Sequence, residues 1–285
     1  MKKLFSIVLA ALMVAALFAG CGSSTAETKA PETTAAPAAA ETTAAPAETE
    51  APAETEAAAA FTTIEAGKLI MSTNAAFPPY EMVADDGSFE GMDVEIAGAV
   101  AAKLGLELVV DDMDFDAALL AVQQGKSDIV MAGVTVNEDR KMVMNFSDTY
   151  SKGVQVVIVK EGSDVTLDNL GDQMIGTQRG TTGYIYTSGD YGEDHVTAYD
   201  NGASAVQALM NGQVDCVVID SAPAEAFVEA NPGLTILDTE YTSEDYAIGM
   251  SKDNTALLDA VNAALAELTA DGTIPAIVEK YIPTK

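Results

Sequence analysis

From Asp116 to Gly133 the chain reads DAALLAVQQGKSDIVMAG, and from Ala203 to Asp220 it reads ASAVQALMNGQVDCVVID. Each run is a helix with one apolar face, stopped by Gly125 or Gly212, then two residues, an aspartate (Asp128 or Asp215) and a short apolar strand. Such a unit cannot bury its faces alone and needs a sheet with helices packed on it. The surrounding sequence follows the same grammar. Lys68 to Ser72 reads as a short buried strand, and Val94, Ala97, Val100, Ala101 and Leu104 fall on one helix face, which Gly105 stops. Leu106, Leu108 and Val110 alternate as a strand, Ala117 to Gln124 is helical, and Ile129 to Ala132 is a buried strand. The alternation predicts an α/β protein with an open, mostly parallel sheet. Helix–glycine–strand units look alike in any α/β protein. Read as a repeat, they predict two similar lobes whose strands end at Gly133 and Asp220. Ligands of open α/β sheets sit beyond the carboxyl ends of strands, so these two residues are expected to face each other across a cleft.

Charge and composition exclude several functions. The chain has 285 residues, 44 acidic and 14 basic side chains, one histidine and two cysteines, with a net charge of −30. A cationic face for nucleic acid or anionic lipid is not available. One histidine and two cysteines exclude a disulfide framework and the usual zinc sites. Asp112 to Asp116 imitates the start of a calcium loop, but Ala117 and Gln123 stand where glycine and glutamate are needed. No Gly-x-Ser-x-Gly elbow occurs, His195 sits among acidic surface-type residues, and Cys216 lies in an apolar strand as an inert thiol. No catalytic residues, metal or cofactor are expected.

The first sixty residues read as targeting and spacing. Lys2 and Lys3 precede an apolar stretch, Leu4 to Phe18, too short for a confident membrane span. It ends in Leu17-Phe18-Ala19-Gly20-Cys21, which resembles a lipoprotein processing site, with Phe18 where leucine is more usual. Residues 1–21 are therefore expected to be a signal peptide and Cys21 the lipidated residue; an ordinary signal peptide with an incidental cysteine is the plainer alternative. Residues 22–60 are Ala, Thr, Pro and Glu with almost nothing to bury, and predict a disordered, extended tether. The two leader lysines and the net −6 of the tether leave −26 on residues 61–285.

Six motifs in order then resemble one family. They are Phe77-Pro-Pro-Tyr-Glu81, Gly91-Met-Asp-Val-Glu-Ile to Leu104, Met113-Asp-Phe115, Ala132-Gly-Val-Thr-Val-Asn-Glu-Asp-Arg140 with Asn145-Phe-Ser-Asp148, Gly180-Thr-Thr182 and Ile219-Asp220. Together they resemble the amino-acid-binding family of extracellular solute-binding proteins that serve ABC importers. Met92 departs from the aromatic or aliphatic residue usual at its position.

The resemblance implies a two-lobed periplasmic-binding-protein fold with a hinge and an interlobe ligand cleft. It places lobe 1 at residues 61–153 and 247–285 and lobe 2 at 154–246, with hinge strands near Lys152-Gly153-Val154 and Asp245-Tyr246-Ala247. It implies a monomer, a free amino acid as ligand and a membrane permease as partner, while the lipid expected on Cys21 holds the protein on the outer face of the cell membrane. An amino acid carries a carboxylate and an ammonium, and burying either without a partner costs several kcal/mol. By the resemblance Arg140 receives the carboxylate, and Asp220 receives the ammonium with the Gly133 carbonyl and the Thr135 hydroxyl. Thr182 offers a backbone amide, Phe77 and Phe115 are aromatic walls, and Ala132 lies beside them. Asn74 and Gln178 tune the side-chain end, with Arg179 reaching in or facing solvent and Ile219 adding an apolar contact. A neutral Asn74, at a position often acidic in relatives that bind basic side chains, favours a polar-neutral or mixed apolar ligand. Taken alone, Arg140 reads as a surface arginine, Asp220 as a helix cap and Phe77 as a core plug. Two other classes share the scaffold: a cyclohexadienyl-dehydratase-like enzyme, for which Glu81 is the one candidate acid, and a ligand sensor.

Overall fold

The computed structural model describes residues 61–238 and 240–283. The expected leader, Cys21 and the tether lie outside the described residues. The chain begins with β1 (Lys68–Thr73), β2 (Ala76–Phe77), β3 (Glu81–Val83), β4 (Phe89–Glu90), α1 (Met92–Lys103) and β5 (Glu107–Asp112). It continues through α2 (Phe115–Gln123), β6 (Ile129–Val130), α3 (Glu138–Val143), β7 (Met144–Lys160), β8 (Ile175–Gln178), α4 (Thr182–Tyr191) and β9 (Val196–Tyr199). Then come α5 (Gly202–Met210), β10 (Cys216–Asp220), α6 (Ser221–Ala230), β11 (Leu234–Ile236), β12 (Thr242–Ser251), α7 (Thr255–Ala270) and α8 (Thr273–Tyr281).

The main sheet has the order β5-β1-β6-β12-β7-β10-β8-β9, with β11 also paired to β7. Its two flanks are parallel, as the alternating pattern predicts: β1 pairs with β5 and β6, and β8 with β9 and β10. The centre corrects that expectation. There β12 runs antiparallel to β6 and β7, and β7 antiparallel to β10 and β11. The cause is β7, which is 17 residues long. Its first half pairs with the end of β12 (Met144↔Ser251) and its second half with β10 (Val159↔Cys216). Chain running out along β7 and back along β12 must be antiparallel, and no local periodicity reports that.

The repeated aspartates explain why the two units share a sequence. Asp128 Oδ2 accepts the Ile70 N–H at 2.8 Å while the Asp128 N–H donates to the Ile70 carbonyl at 2.9 Å. Asp215 does the same to Met174, with both bonds at 2.8 Å. In each unit the aspartate three residues after the helix stop thus ties the new strand to its neighbour at the ladder's first rung. Buried Leu69, Met71, Ile96, Val100 and Ile129 pack beneath the first flank, and Val157, Ile175, Val196 and Val218 fill a cluster on the second. Among the described residues no helix is long and apolar enough to cross a membrane.

One glycine fixes the start of α1. Gly91 has φ 130°, and a Cβ there would lie 2.6 Å from the Tyr80 carbonyl carbon and 2.9 Å from the Glu81 Cα. That approach lets Met92 and Asp93 donate to the Pro79 and Tyr80 carbonyls at 3.0 and 2.9 Å. Because the obstruction is backbone, it cannot swing aside. Gly91→Ala is expected to cost about 3 kcal/mol or more of stability, read as a fall in the denaturant midpoint; a midpoint unchanged from the parent would contradict the strain.

Candidate functional site

The strand ends and their following loops converge on one cavity. Asn74, Phe77, Phe115, Ala132, Gly133, Thr135, Arg140, Gln178, Thr182 and Asp220, ten of the residues singled out in the sequence, line it. Thr181, part of the Gly180-Thr181-Thr182 run expected to offer backbone N–H groups, lines it too, as does Glu81, which was not singled out as a contact.

Arg140 is only 7% exposed, not a solvated surface residue. Asn137 caps α3 by accepting the Arg140 N–H at 2.8 Å, and the helix turns the guanidinium inward. Nη1 donates to the Thr135 carbonyl at 2.8 Å and Nη2 to the Gly180 carbonyl at 3.1 Å. The guanidinium carbon lies 5.3 Å from the centre of the Phe115 ring, a cation–π contact. Burial lowers the Arg140 pKa, and the Glu244 carboxylate acts against that. No ion pair holds Arg140 among the described residues, so a strong cation stands in the cavity with neutral partners.

Asp220 ends β10 and occupies the N-cap position of α6, yet its side chain makes no capping bond. The carboxylate turns inward instead. Oδ1 accepts from the Tyr246 hydroxyl, and Oδ2 accepts from Gln155 Nε2 at 2.8 Å. Burial pushes its pKa up to about 7, with the Tyr246 and Gln155 hydrogen bonds working against the shift and Glu244 adding to it.

Glu244 on β12 was missed in the sequence. It is 6% exposed, and its Oε2 accepts from the Thr135 hydroxyl at 3.1 Å, the Thr182 hydroxyl at 3.0 Å and Gln155 Nε2 at 3.0 Å. A threonine hydroxyl has one hydrogen, so once it points at Glu244 only lone pairs remain for a ligand. Thr135 and Thr182 are thereby set as acceptors. Thr181 caps α4 by accepting the Tyr184 N–H at 3.4 Å, which opens the helix N-terminus toward the cavity.

The aromatic side is built from a stack. Phe77 lies 5.5 Å from Tyr80 at 23°, and Tyr80 meets Tyr246 edge-on at 5.3 Å. Gly133 passes over Phe77 with φ 54°, where a Cβ would fall 2.9 Å from Phe77 Cε1; this closeness lets its N–H reach Asp93 Oδ2 at 2.9 Å. At the far end Gln178 Nε2 donates to Asn74 Oδ1 at 2.9 Å, and Asn74 Nδ2 donates to the Met113 carbonyl at 2.9 Å.

Other residues fall elsewhere. Arg179 faces solvent, with its nearest carboxylate, that of Asp200, at 3.8 Å. Ile219 is absent from the cavity wall and turns instead onto Gly202, correcting the expected ligand contact. Cys216 is buried, and burial raises its thiol pKa to about 12.

Comparison with known proteins places these features. A family model described as "Bacterial extracellular solute-binding proteins, family 3" matches residues 69–284. A "Probable histidine-binding protein" of Neisseria gonorrhoeae is 32% identical over 231 residues, 78% of this chain and 86% of the relative. The "L-cystine-binding protein TcyJ" of Escherichia coli K12 is 30% identical over 221 residues, 76% and 83% of the two chains. The solved structure of "An ancestral arginine-binding protein bound to glutamine" superposes with a TM-score of 0.73 at 38% identity, covering 76% of this chain and 99% of that one.

Proposed function

Because the chain belongs to the bacterial extracellular solute-binding proteins, family 3, we propose that it captures a free amino acid between two lobes and delivers it to the permease of an ABC importer. The observation that carries this is the cavity in which Arg140 and Asp220, one buried cation and one buried carboxylate, stand beside Phe77 and Phe115. A zwitterion supplies each of these groups with a directly bonded counter-charge, which the described residues do not give them. Arg140 forms two parallel bonds to the α-carboxylate, aided by the α4 N-terminus at Thr182. Asp220, the Thr135 lone pairs and the Gly133 carbonyl receive the ammonium, and Phe77 and Phe115 flank the aliphatic part.

The side-chain end is neutral. Asn74 and Gln178 bond to each other as amides, which favours a ligand with a polar, uncharged side chain over one needing a carboxylate partner. Relatives named for histidine, cystine and arginine or glutamine delimit the ligands to test first. Two charge pairs and the aromatic burial fit an affinity from micromolar to nanomolar, about 8–12 kcal/mol.

Closure follows from β7 and β12. Lobe 1 takes residues 61–153 and 247–285, lobe 2 takes 154–246, and the chain crosses at Lys152–Val154 and Asp245–Ala247, where the β12–β7 register shifts after Tyr246. These positions absorb the backbone rotation. The ligand favours the closed form because only there do both lobes touch it. A lipid on Cys21 and the tether of residues 22–60 keep a monomeric receptor near its permease on the outer membrane face. No covalent step is required of it.

The test is thermal unfolding of the purified protein, freed of bound ligand by unfolding and refolding, against the twenty amino acids and cystine. A ligand at about 100 times its Kd stabilises the native state by about 2.7 kcal/mol, so one or a few neutral polar amino acids are expected to raise the melting temperature by several degrees. No shift with any of them would overturn the reading.

A further inference from the structure

Beneath the Phe77–Tyr80 stack, three carboxyl oxygens are buried without a hydrogen-bond partner: both of Glu81 and Oδ1 of Asp93. Neither residue has exposed surface, and Glu81 lines the cavity. Asp93 Oδ2 is occupied, accepting the Gly133 N–H at 2.9 Å and the Tyr150 hydroxyl at 2.8 Å. The groups facing Glu81 are all acidic or phenolic: Asp93 on α1, Asp112 at the end of β5, Asp220 on β10, Tyr80 beside it and Tyr150 on β7. No cation pairs with Glu81 or Asp93 among the described residues, and the one that lines the cavity, Arg140, is bonded to the Thr135 and Gly180 carbonyls.

Two neighbouring carboxylates, both ionised and both dry, are not tenable without a cation. One hydrogen removes the conflict. An O–H on Glu81 donating to Asp93 Oδ1 satisfies an orphaned acceptor and leaves the pair with a single negative charge, which the Gly133 N–H and the Tyr150 hydroxyl already solvate. We propose that Glu81 stands in the cleft wall as a neutral carboxylic acid that shares one proton with Asp93, and that its neutrality sets the charge of the ligand the cleft accepts. The proposal rests on the reading of this cavity as an amino-acid site. Glu81 lines the cavity without a charge, so Asp220 and not Glu81 supplies the charge for the ammonium. An ionised Glu81 would place a second carboxylate in the wall and favour a ligand with an additional positive charge. The neutral acid therefore acts in the same direction as the Asn74–Gln178 amides, toward ligands that are neutral overall. Burial and the Asp93 carboxylate push Glu81 well above the usual carboxylate range, and burial raises Asp93 to about 6.

Infrared spectroscopy of the ligand-free protein tests this without any amino acid. At pH 7 the Asp220→Asn variant, which lacks the other high-titrating carboxyl, is expected to show the carbonyl stretch of a protonated carboxylic acid, downshifted in D₂O. The band is lost on adding Glu81→Gln and is displaced on adding Asp93→Asn. Its absence from Asp220→Asn at pH 7, or its persistence unchanged with Glu81→Gln, overturns the proposal. A raised acid makes folding more favourable below its unfolded pKa and less so as pH rises toward its folded one. The folding constant of the parent is thus expected to fall relative to Glu81→Gln by up to about tenfold per pH unit above pH ~4.3; parallel pH profiles count against the shared proton. Failure of every amino acid to bind would remove the transport reading and leave these two readouts as they are.

Discussion

Arg140→Ala is expected to weaken ligand binding by two to more than three decades, with any ligand-induced rise in melting temperature abolished. Removing one partner of a buried charge pair costs about 3–5 kcal/mol, because the remaining ligand carboxylate is left desolvated and unpaired. Here the cost is at the upper end. Arg140 is the cation lining the cavity, and it also ties the Thr135 carbonyl to the Gly180 carbonyl, so alanine removes both the ligand's counter-charge and a link across the cleft. Arg140→Lys separates these effects. A point charge on a flexible stem keeps the attraction but not the two-pronged geometry or the stacking on Phe115, so a loss of about one to two decades is expected. Isothermal titration with the ligand found by thermal unfolding measures both. Alanine binding within threefold of the parent would remove Arg140 from the site.

Much of this site was legible only through the family resemblance, because taken alone Arg140 reads as a surface arginine, Asp220 as a helix cap and Phe77 as a core plug. The ordered run of motifs marks Arg140, Asp220, Gly133 and Phe77 as a set, and the cavity brings them together. What escaped notice depends on long-range partners. Glu244 accepts from residues 109, 62 and 89 positions away, and nothing in Ser243-Glu-Asp-Tyr246 announces those contacts. Its one local sign is an acidic residue entering an apolar strand. Asp220 shows the limit from the other side. A strand-ending aspartate before a helix reads equally as a cap, and only Tyr246 and Gln155, brought in by β12 and β7, turn its carboxylate inward. The parallel flanks followed from the helix–strand rhythm, whereas the antiparallel centre depends on where β7 and β12 pair, which is a property of the whole chain. Ile219 was misplaced by the strictest rule of all. Side chains alternate along a strand, so with Asp220 in the cavity its neighbour had to turn away, onto Gly202.

Asp220→Asn is expected to lower affinity by about 2–5 kcal/mol, roughly thirtyfold to several thousandfold, while leaving the fold intact. Asparagine keeps an oxygen for the Tyr246 hydroxyl and has nearly the same shape, so the loss is that of charge toward the ammonium. The parent must also show a pH dependence that the variant lacks. With a carboxyl pKa near 7 in the ligand-free site, a growing fraction of Asp220 is protonated as pH falls below 7. Binding an ammonium requires the charged form, so that proton must leave. Affinity should then decline with falling pH, approaching about tenfold per unit below 7, and level off above about pH 8. The direction is opposite to that of stability, since a raised carboxyl favours folding at low pH and disfavours it as pH rises toward 7. Titrations from pH 5 to 8 separate the two signs. A parent whose affinity is flat over that range would mean that Asp220 is already ionised in the free receptor, its desolvation relieved by water in an open cleft. A parent profile shared by Asp220→Asn would place the titrating group elsewhere in the wall.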